Sequence, residues 1–188
     1  MKRIIIVLCL LQTAGCAQTP CPPHGSAKPG TLQYVTNPKK NRTDIPTSYK
    51  KISINEWLAL PDDSTGDGTA YQLAGGYVIK VKHMDPESCN CKSKTERDYH
   101  IEVVPSPDDA GDVAKYVIVE VSPRMVNKLK WKEKDILLLK NHYVDFYGFK
   151  FADLEHQNMS LKSHPYQKKA WRGTINEIHP ITKWVVKN

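Results

Sequence analysis

Residues 72–84 read QLAGGYVIKVKHM, and this stretch has the pattern of a β-strand that contains a bend. From Tyr77 to Val81 the side chains alternate in the manner of a half-buried β-strand. The pair Gly75-Gly76 lies inside the same stretch. A small closed barrel must bend its first strand sharply, and glycine permits the bulge that such a bend needs. The sequence therefore predicts a bent strand at the start of a small barrel.

Strand signals recur four more times along the chain, with turn-forming residues between them. The further strands are predicted at residues 97–105, 114–122, 143–151 and 174–186. The only helical candidate is residues 127–140, with Asn127 as its N-cap. This order resembles the OB-fold. We therefore expect an all-β domain, a five-stranded OB-like Greek-key barrel with one short helix between strands 3 and 4.

The composition is that of an ordinary globular protein. The chain has 188 residues, of which 40% are hydrophobic and 25% are charged. These values exclude a largely disordered, collagen-like or coiled-coil chain. The only long apolar run lies at the start, which excludes a polytopic membrane protein. The net charge of +7 favours an anionic partner only weakly.

The first residues are typical of an export signal. Two basic residues precede the apolar run 4–11, which is too short to span a bilayer but fits the hydrophobic region of a secretory signal. Residues 13–16 read TAGC and resemble the bacterial lipobox, which implies cleavage before Cys16 and a lipid on that cysteine. Cleavage after Ala17 is the alternative. We expect a signal peptide over 1–15 and a lipid-anchored protein of the bacterial cell envelope, or otherwise a secreted or periplasmic one.

Residues 16–50 are predicted to be a tether that is rich in proline. Few of their side chains are large and apolar, so the segment cannot bury enough surface to offset its chain entropy. Residues 51–188 then form the barrel domain with an N-terminal extension. In that extension Ser53 and Glu56 have the spacing of a capping box, which marks the start of a helix.

Four cysteines remain after the signal peptide is removed: Cys16, Cys21, Cys89 and Cys91. In an oxidising compartment Cys21 can pair with either Cys89 or Cys91, and the sequence leaves both pairings open. A bond between Cys89 and Cys91 themselves would close a strained ring, because only one residue separates them.

Strand parity predicts where the charged side chains gather. Successive side chains of a strand point to opposite faces, so the apolar sets of the predicted strands should face the core and the polar sets should face outward. On the last strand Ile175 and Ile181 share the parity of the polar residues, and a bulge near Pro180 would resolve this conflict. Without such a bulge, Glu177 and His179 would lie at one end of the barrel. The outward set comprises Asp98, His100, Glu102, Glu120, Arg124, Glu177 and His179.

Four short motifs carry most of these residues. They are D-x-H at 98–100, E-x-x-P-R at 120–124, D-x-x-H at 153–156 and E-I-H-P at 177–180. Together they resemble a little-characterised group of small exported bacterial domains, over about residues 71–184. The chain has Asn176 where that group is expected to have Trp. The resemblance implies the barrel fold and a shared site, and it implies no particular reaction.

The candidate ligand site combines these motifs with one arginine from the loop before the last strand. It comprises Asp98, His100, Glu120, Arg124, Arg172, Glu177 and His179. A divalent metal is a candidate cofactor, with zinc first, because imidazole and carboxylate groups are zinc ligands. The candidate metal ligands are Asp98, His100, His156 and His179. The alternative is a buried hydrogen-bonded network with a structural role.

The sequence favours a binding or structural module of unknown ligand over an enzyme. One alternative is a metal-dependent hydrolase that resembles the thermonucleases, which share this barrel and use acidic metal ligands with two arginines. Asp98, Glu120, Arg124 and Arg172 would take those roles, although the spacings of that family are not reproduced. Nucleic-acid binding is usual for the fold, but acids on the outward wall would repel phosphates. The expected partners are a membrane through the lipid on Cys16, a small or anionic ligand and, less favoured, a nucleic acid.

Overall fold

The computed structural model describes residues 20–187, which are mostly β-sheet with a few short helices. The strands are β1 (Lys50–Ser53), β2 (Ala70–His83), β3 (Tyr99–Val104), β4 (Val117–Val121), β5 (Tyr143–Ala152) and β6 (Asn176–Val186). The α-helices are α1 (Leu32–Lys40), α2 (Ile54–Ala59), α3 (Pro123–Leu129) and α4 (Glu133–Leu137). Short 3-10 turns lie at Ser88–Asn90, Pro107–Asp109, Val113–Lys115 and Leu154–Met159. No helix in this part of the chain is long and apolar enough to cross a bilayer.

Five of the strands close into a barrel. The sheet order is β1-β2-β3-β4-β6-β5, and β5 pairs again with β2. The contact between β4 and β6 is parallel, whereas the other contacts around the barrel are antiparallel. The strand β1 lies outside the closed ring and pairs with β2 in parallel. The prediction of a closed five-stranded barrel is thus confirmed, and the barrel is mixed.

The strand β2 bends at its two glycines, as predicted. Its pairing with β5 changes register between Leu73 and Gly76. Gly75 has a φ of 67°, in the left-handed region that favours glycine. A side chain at Gly76 would collide with the side chain of Val103 in the core. The two glycines therefore let β2 change direction while its backbone stays close to β3.

The barrel interior is apolar, with the parity that the sequence predicts. Ile101 and Val103 of β3 and Val119 and Val121 of β4 are fully buried in the core. On β6 both Ile178 and Ile181 reach the core, although their parities differ. Their partners on β5 are only two residues apart, so β6 carries an extra residue between them. The bulge predicted near Pro180 is confirmed.

Two short helices stand between β4 and β5, where the sequence predicted one over residues 127–140. Ser122 caps α3, which begins at Pro123, so Asn127 lies inside this helix and not at its start. The helix ends where Lys130 adopts a φ of 57°. The left-handed backbone at this residue breaks the helix, and α4 begins three residues later. The prediction of one short helix is therefore corrected to two.

The capping box predicted before the barrel is present. The Ser53 side chain accepts from the backbone of Glu56, and the Glu56 side chain accepts from the backbone of Ser53. The helix α2 that follows places Trp57 in the core, where its ring nitrogen donates to the carbonyl of Asn176 at 3.1 Å. This helix therefore closes one end of the barrel.

The described part of the segment expected as a tether folds against the barrel. Cys21 forms a disulfide with Cys91, which settles the pairing that the sequence left open. The side chains of Asn37 and Asn41 donate to the carbonyls of His24 and Cys89. Polar side chains and a disulfide hold this segment, so its lack of large apolar residues does not prevent it from folding.

Replacing Cys21 or Cys91 by serine is expected to lower the free energy of unfolding by about 2–4 kcal/mol, because the bond links residues 70 positions apart. Chemical denaturation of each variant, with and without reductant, measures the loss. The double variant should lose no more than either single variant and should not respond to reductant. Losses that add together would contradict the bond.

Candidate functional site

The outward wall of β3, β4 and β6 carries charged side chains that are almost completely buried. The strands and the loops beside them contribute seven side chains, of which none is more than 5% exposed. We call this set the charged cluster. Its members are Asp98, His100, Glu120, Asp153, Arg172, Glu177 and His179.

A second layer of the molecule covers this wall. Lys40 of α1 reaches Glu87 in the loop after β2, and both residues lie beside the charged cluster. In the loop before β6, the ring of Trp171 lies 5.2 Å from the ring of His100 and 4.0 Å from the guanidinium of Arg172. The wall is therefore shielded from water, and charges interact more strongly there than at a surface.

His179 stands at the centre of the charged cluster. Its Nδ1 lies 3.0 Å from Oε2 of Glu120 and 3.6 Å from Oε2 of Glu177. Its Nε2 lies 3.9 Å from Oδ2 of Asp98. Neither ring nitrogen is aligned for a hydrogen bond, although the separation from Glu120 is short enough for one. Buried polar atoms are rarely left in this condition, because each unmade bond is costly.

Glu120 lies between two imidazoles. The Nδ1 of His100 donates to its Oε1 at 3.1 Å, and His179 faces its Oε2. Burial alone would raise the pKa of Glu120, but the two imidazoles hold it well below its usual value. Glu120 is therefore a charged carboxylate. The other ring nitrogen of His100 has no hydrogen-bond partner and lies 3.8 Å from Glu102.

The local potential around His179 is strongly negative. Burial alone would lower the pKa of His179, yet the Glu120 carboxylate beside it raises this pKa to about 10. Burial raises the pKa of Asp98 to about 6, against the attraction of His179. The potential that retains a proton on His179 would equally attract a metal cation in its place.

The second half of the charged cluster, which consists of Asp153, Arg172 and Glu177, is ion-paired. The guanidinium of Arg172 donates to Glu177 at 2.6 Å and lies 3.1 Å from Asp153. The Nδ1 of His156 donates to the same Asp153 oxygen at 2.7 Å. Burial would raise the pKa of Asp153, but the bond from His156 and the charge of Arg172 hold it well below its usual value. In this half the carboxylates of Asp153 and Glu177 each have a cation beside them.

A thiol and an ion pair lie beside Asp98. The Sγ of Cys89 lies 3.7 Å from Oδ2 of Asp98 and 3.4 Å from Oε2 of Glu87. The Nζ of Lys40 lies 2.7 Å from the same Glu87 oxygen. Sequence reasoning missed Lys40 and Glu87, because no motif marks either residue and Lys40 lies in the segment expected as a tether.

Within residues 20–187, two groups of side chains have metal-ligand geometry. The ligand atoms of Asp98, Glu120 and His179 all lie within 4.8 Å of one another. The same holds for Glu87, Cys89 and Asp98, so the Asp98 carboxylate belongs to both groups. The first group contains two of the four predicted metal ligands, and it adds Glu120.

The remaining predicted residues lie elsewhere. The guanidinium of Arg124 donates to the carbonyls of Cys21 and Pro22 at 2.5 and 2.9 Å, so the structure places Arg124 against the N-terminal segment and outside both metal-ligand groups. The side chain of His156 is 42% exposed and contacts Asp153, outside both metal-ligand groups. Cys16, with the signal peptide predicted over 1–15, lies outside the described residues.

Replacing Arg172 by methionine is expected to lower the free energy of unfolding by about 3–5 kcal/mol, because it leaves Asp153 and Glu177 buried without their cation. The matched control is Arg124→Met, which should lose about 1 kcal/mol, since water can reach the carbonyls that Arg124 releases. Urea denaturation compares the two variants. Equal losses would contradict the division between a buried network and a surface anchor.

No family model, no curated protein and no solved structure matches this chain. The function must therefore be inferred from the geometry and chemistry of its own side chains.

Proposed function

We propose that this protein is an exported module of the bacterial cell envelope whose OB-like barrel binds a divalent cation, with zinc first, at Asp98, Glu120 and His179. One observation carries the proposal. An imidazole whose two ring nitrogens make no aligned hydrogen bond lies buried between carboxylates, and the ligand atoms of the three residues lie within 4.8 Å of one another. A bound cation would satisfy these groups together.

The topology supports an OB-like Greek-key assignment. The ring order is β2-β3-β4-β6-β5, the third and fifth barrel strands are parallel, and two helices stand between the third and fourth. OB domains bind ligands on the face of barrel strands 2 and 3, beside the loops after strands 1 and 4. The charged cluster lies on that face, and residues 84–98 and 153–175 are those loops.

The charges favour a cation as the ligand. The cluster and its neighbour Glu87 contain five carboxylates, whereas the permanent cations beside them are Lys40 and Arg172. Three negative charges remain when the histidines are neutral, and the proton that His179 retains without a metal offsets only one of them. Burial makes the remaining surplus unfavourable. One imidazole with two carboxylates suits zinc better than magnesium or calcium, which prefer oxygen ligands alone.

The position of the arginines does not favour the hydrolase alternative. Arg172 is held by two buried carboxylates, and Arg124 is held by main-chain carbonyls. Neither is placed to meet a phosphate from solution. Nucleic-acid binding would need an open basic groove with exposed aromatic rings, whereas this wall is acidic and covered. We therefore propose binding without catalysis.

The proposed location rests on the export signal and the disulfide. A disulfide between Cys21 and Cys91 suits an oxidising compartment outside the cytoplasm. If Cys16 carries lipid, only four residues separate it from Cys21. Five extended peptide units reach at most about 18 Å. The barrel would therefore lie close to the bilayer surface, and not at the end of a long tether.

Zinc is expected to bind to the purified chain with at least one ion per molecule, and His179→Gln should weaken this binding more than about 100-fold because it removes a direct ligand. Isothermal titration with zinc and elemental analysis measure affinity and stoichiometry. The matched control is His164→Ala, an exposed histidine outside both metal-ligand groups, which should bind as the wild type does. A folded His179→Gln protein with unchanged affinity would overturn the proposal.

The affinity for zinc should fall steeply as the pH falls through about 6, which is the pKa of Asp98 in the folded protein. Protonation of Asp98 removes a ligand, and His179 competes for protons over the whole range because its pKa lies near 10. Titrations at a series of pH values measure the trend. An affinity that does not vary with pH would show that zinc binds elsewhere.

A further inference from the structure

Cys89 is a buried thiol that two carboxylates face. It is 1% exposed and is the one free cysteine among the described residues. Its sulfur lies 3.4 Å from Glu87 and 3.7 Å from Asp98. A thiol has a single proton and is a weak donor, so it cannot satisfy both acceptors well. The sulfur therefore has two carboxylates beside it and only one proton to donate.

The two metal-ligand groups meet at one atom. The Asp98 oxygen that faces the sulfur of Cys89 is also the one that lies 3.9 Å from Nε2 of His179. That imidazole nitrogen is fully buried and has no hydrogen-bond partner. Asp98 Oδ1 is already occupied, since it accepts from the Asn90 side chain at 3.1 Å. The free side of the carboxylate therefore points between a thiol and an unpartnered imidazole.

We propose that Glu87, Cys89 and Asp98 form a second cation site, which adjoins the first and shares the Asp98 carboxylate with it. The sulfur ligand would make this outer site selective for thiophilic divalent ions such as zinc and cadmium over magnesium and calcium. The inference deepens the proposed function and rests on it, because Asp98 is common to both sites.

Binding exchanges one proton for one ion. The S–H bond of Cys89 breaks, the sulfur keeps its electron pair and donates it to the metal, and the proton leaves to solvent. Burial raises the pKa of this thiol above its ordinary value, so the thiolate is present only when a cation holds it. The oxidation state of the sulfur and of the metal does not change.

A cavity connects solvent with the outer site at Glu87. It has a volume of about 420 Å³, and its walls include Lys40, Glu87 and Ser88. The ammonium of Lys40 contacts Glu87 at 2.7 Å, and both residues line this cavity. With an ion bound, Lys40 orients the Glu87 carboxylate as an outer partner.

The charges balance when both sites are filled. With the thiolate of Cys89 formed, the cluster and its neighbours contain six negative groups against Lys40 and Arg172. Four negative charges remain when all the histidines are neutral, and three remain when His156 is protonated in its contact with Asp153. Two divalent ions offset a surplus of this size, whereas one ion leaves a buried negative surplus in either case.

Cobalt titration of the full chain, with its disulfide intact and no reductant present, tests the second site. Cobalt replaces zinc in such sites, and a thiolate ligand gives it a charge-transfer band in the near ultraviolet. The wild type should bind two ions and show the band. Cys89→Ser should bind one ion without the band, and Glu87→Gln, which keeps the thiol, should weaken the outer ion by about tenfold or more. His164→Ala serves as the control, with both ions and the band retained.

The outcomes separate the two proposals. A wild type that binds no cobalt or zinc overturns the proposed function together with this inference. A stoichiometry of one without the band overturns the second site and leaves the first in place. A stoichiometry of one with the band puts the single ion at Cys89, and it overturns the arrangement of two adjoining sites together with the proposed ligands of the first. If Cys89→Ser does not fold, the stoichiometry of the wild type and the response of Glu87→Gln decide the question.

Discussion

Carboxylates are buried on one wall of a small barrel, and their burial governs how the neighbouring segments are arranged. Isolated buried charges are strongly unfavourable, so each must be paired, hydrogen-bonded or bound to a cation. Arg172 and Lys40 meet this need in part, and both come from segments outside the closed ring of strands. The covering layer therefore supplies cations that the buried carboxylates of this wall need.

The alternation within the strands allowed much of the barrel to be predicted. A period of two is local, so Ile101 and Val119 are recognised as core residues without knowledge of their neighbours. The glycine bulge in β2 and the irregularity near Pro180 follow from the same local chemistry. The parity that sends these residues inward sends His100 and Glu120 to the opposite face, which is how the sequence located the wall.

The parts that could not be predicted depend on contacts between distant segments. No apolar pattern marks the segment that contains α1, since asparagine amides, a lysine and a disulfide hold it. The position of Arg124 could not be predicted for a different reason. Strand parity stops applying where α3 begins at Pro123, and the helix turns Arg124 towards Cys21 and away from Glu120. The E-x-x-P-R motif does not indicate this change of direction, because Glu120 and Arg124 are only four positions apart in it.

The two halves of the charged cluster differ in how well their polar atoms are satisfied, and this difference separates support from binding. A network with only a structural role is expected to satisfy its members, because a partly satisfied network is less stable than an apolar core. Arg172, Asp153 and His156 approach that condition, although the Nε of Arg172 has no hydrogen-bond partner. His179 does not, and it faces the carboxylate that Cys89 also faces. The C-x-C motif explains why both features occur together: Cys91 fixes the loop to the N-terminal segment, and Cys89, two residues earlier, is thereby held with its sulfur towards Asp98.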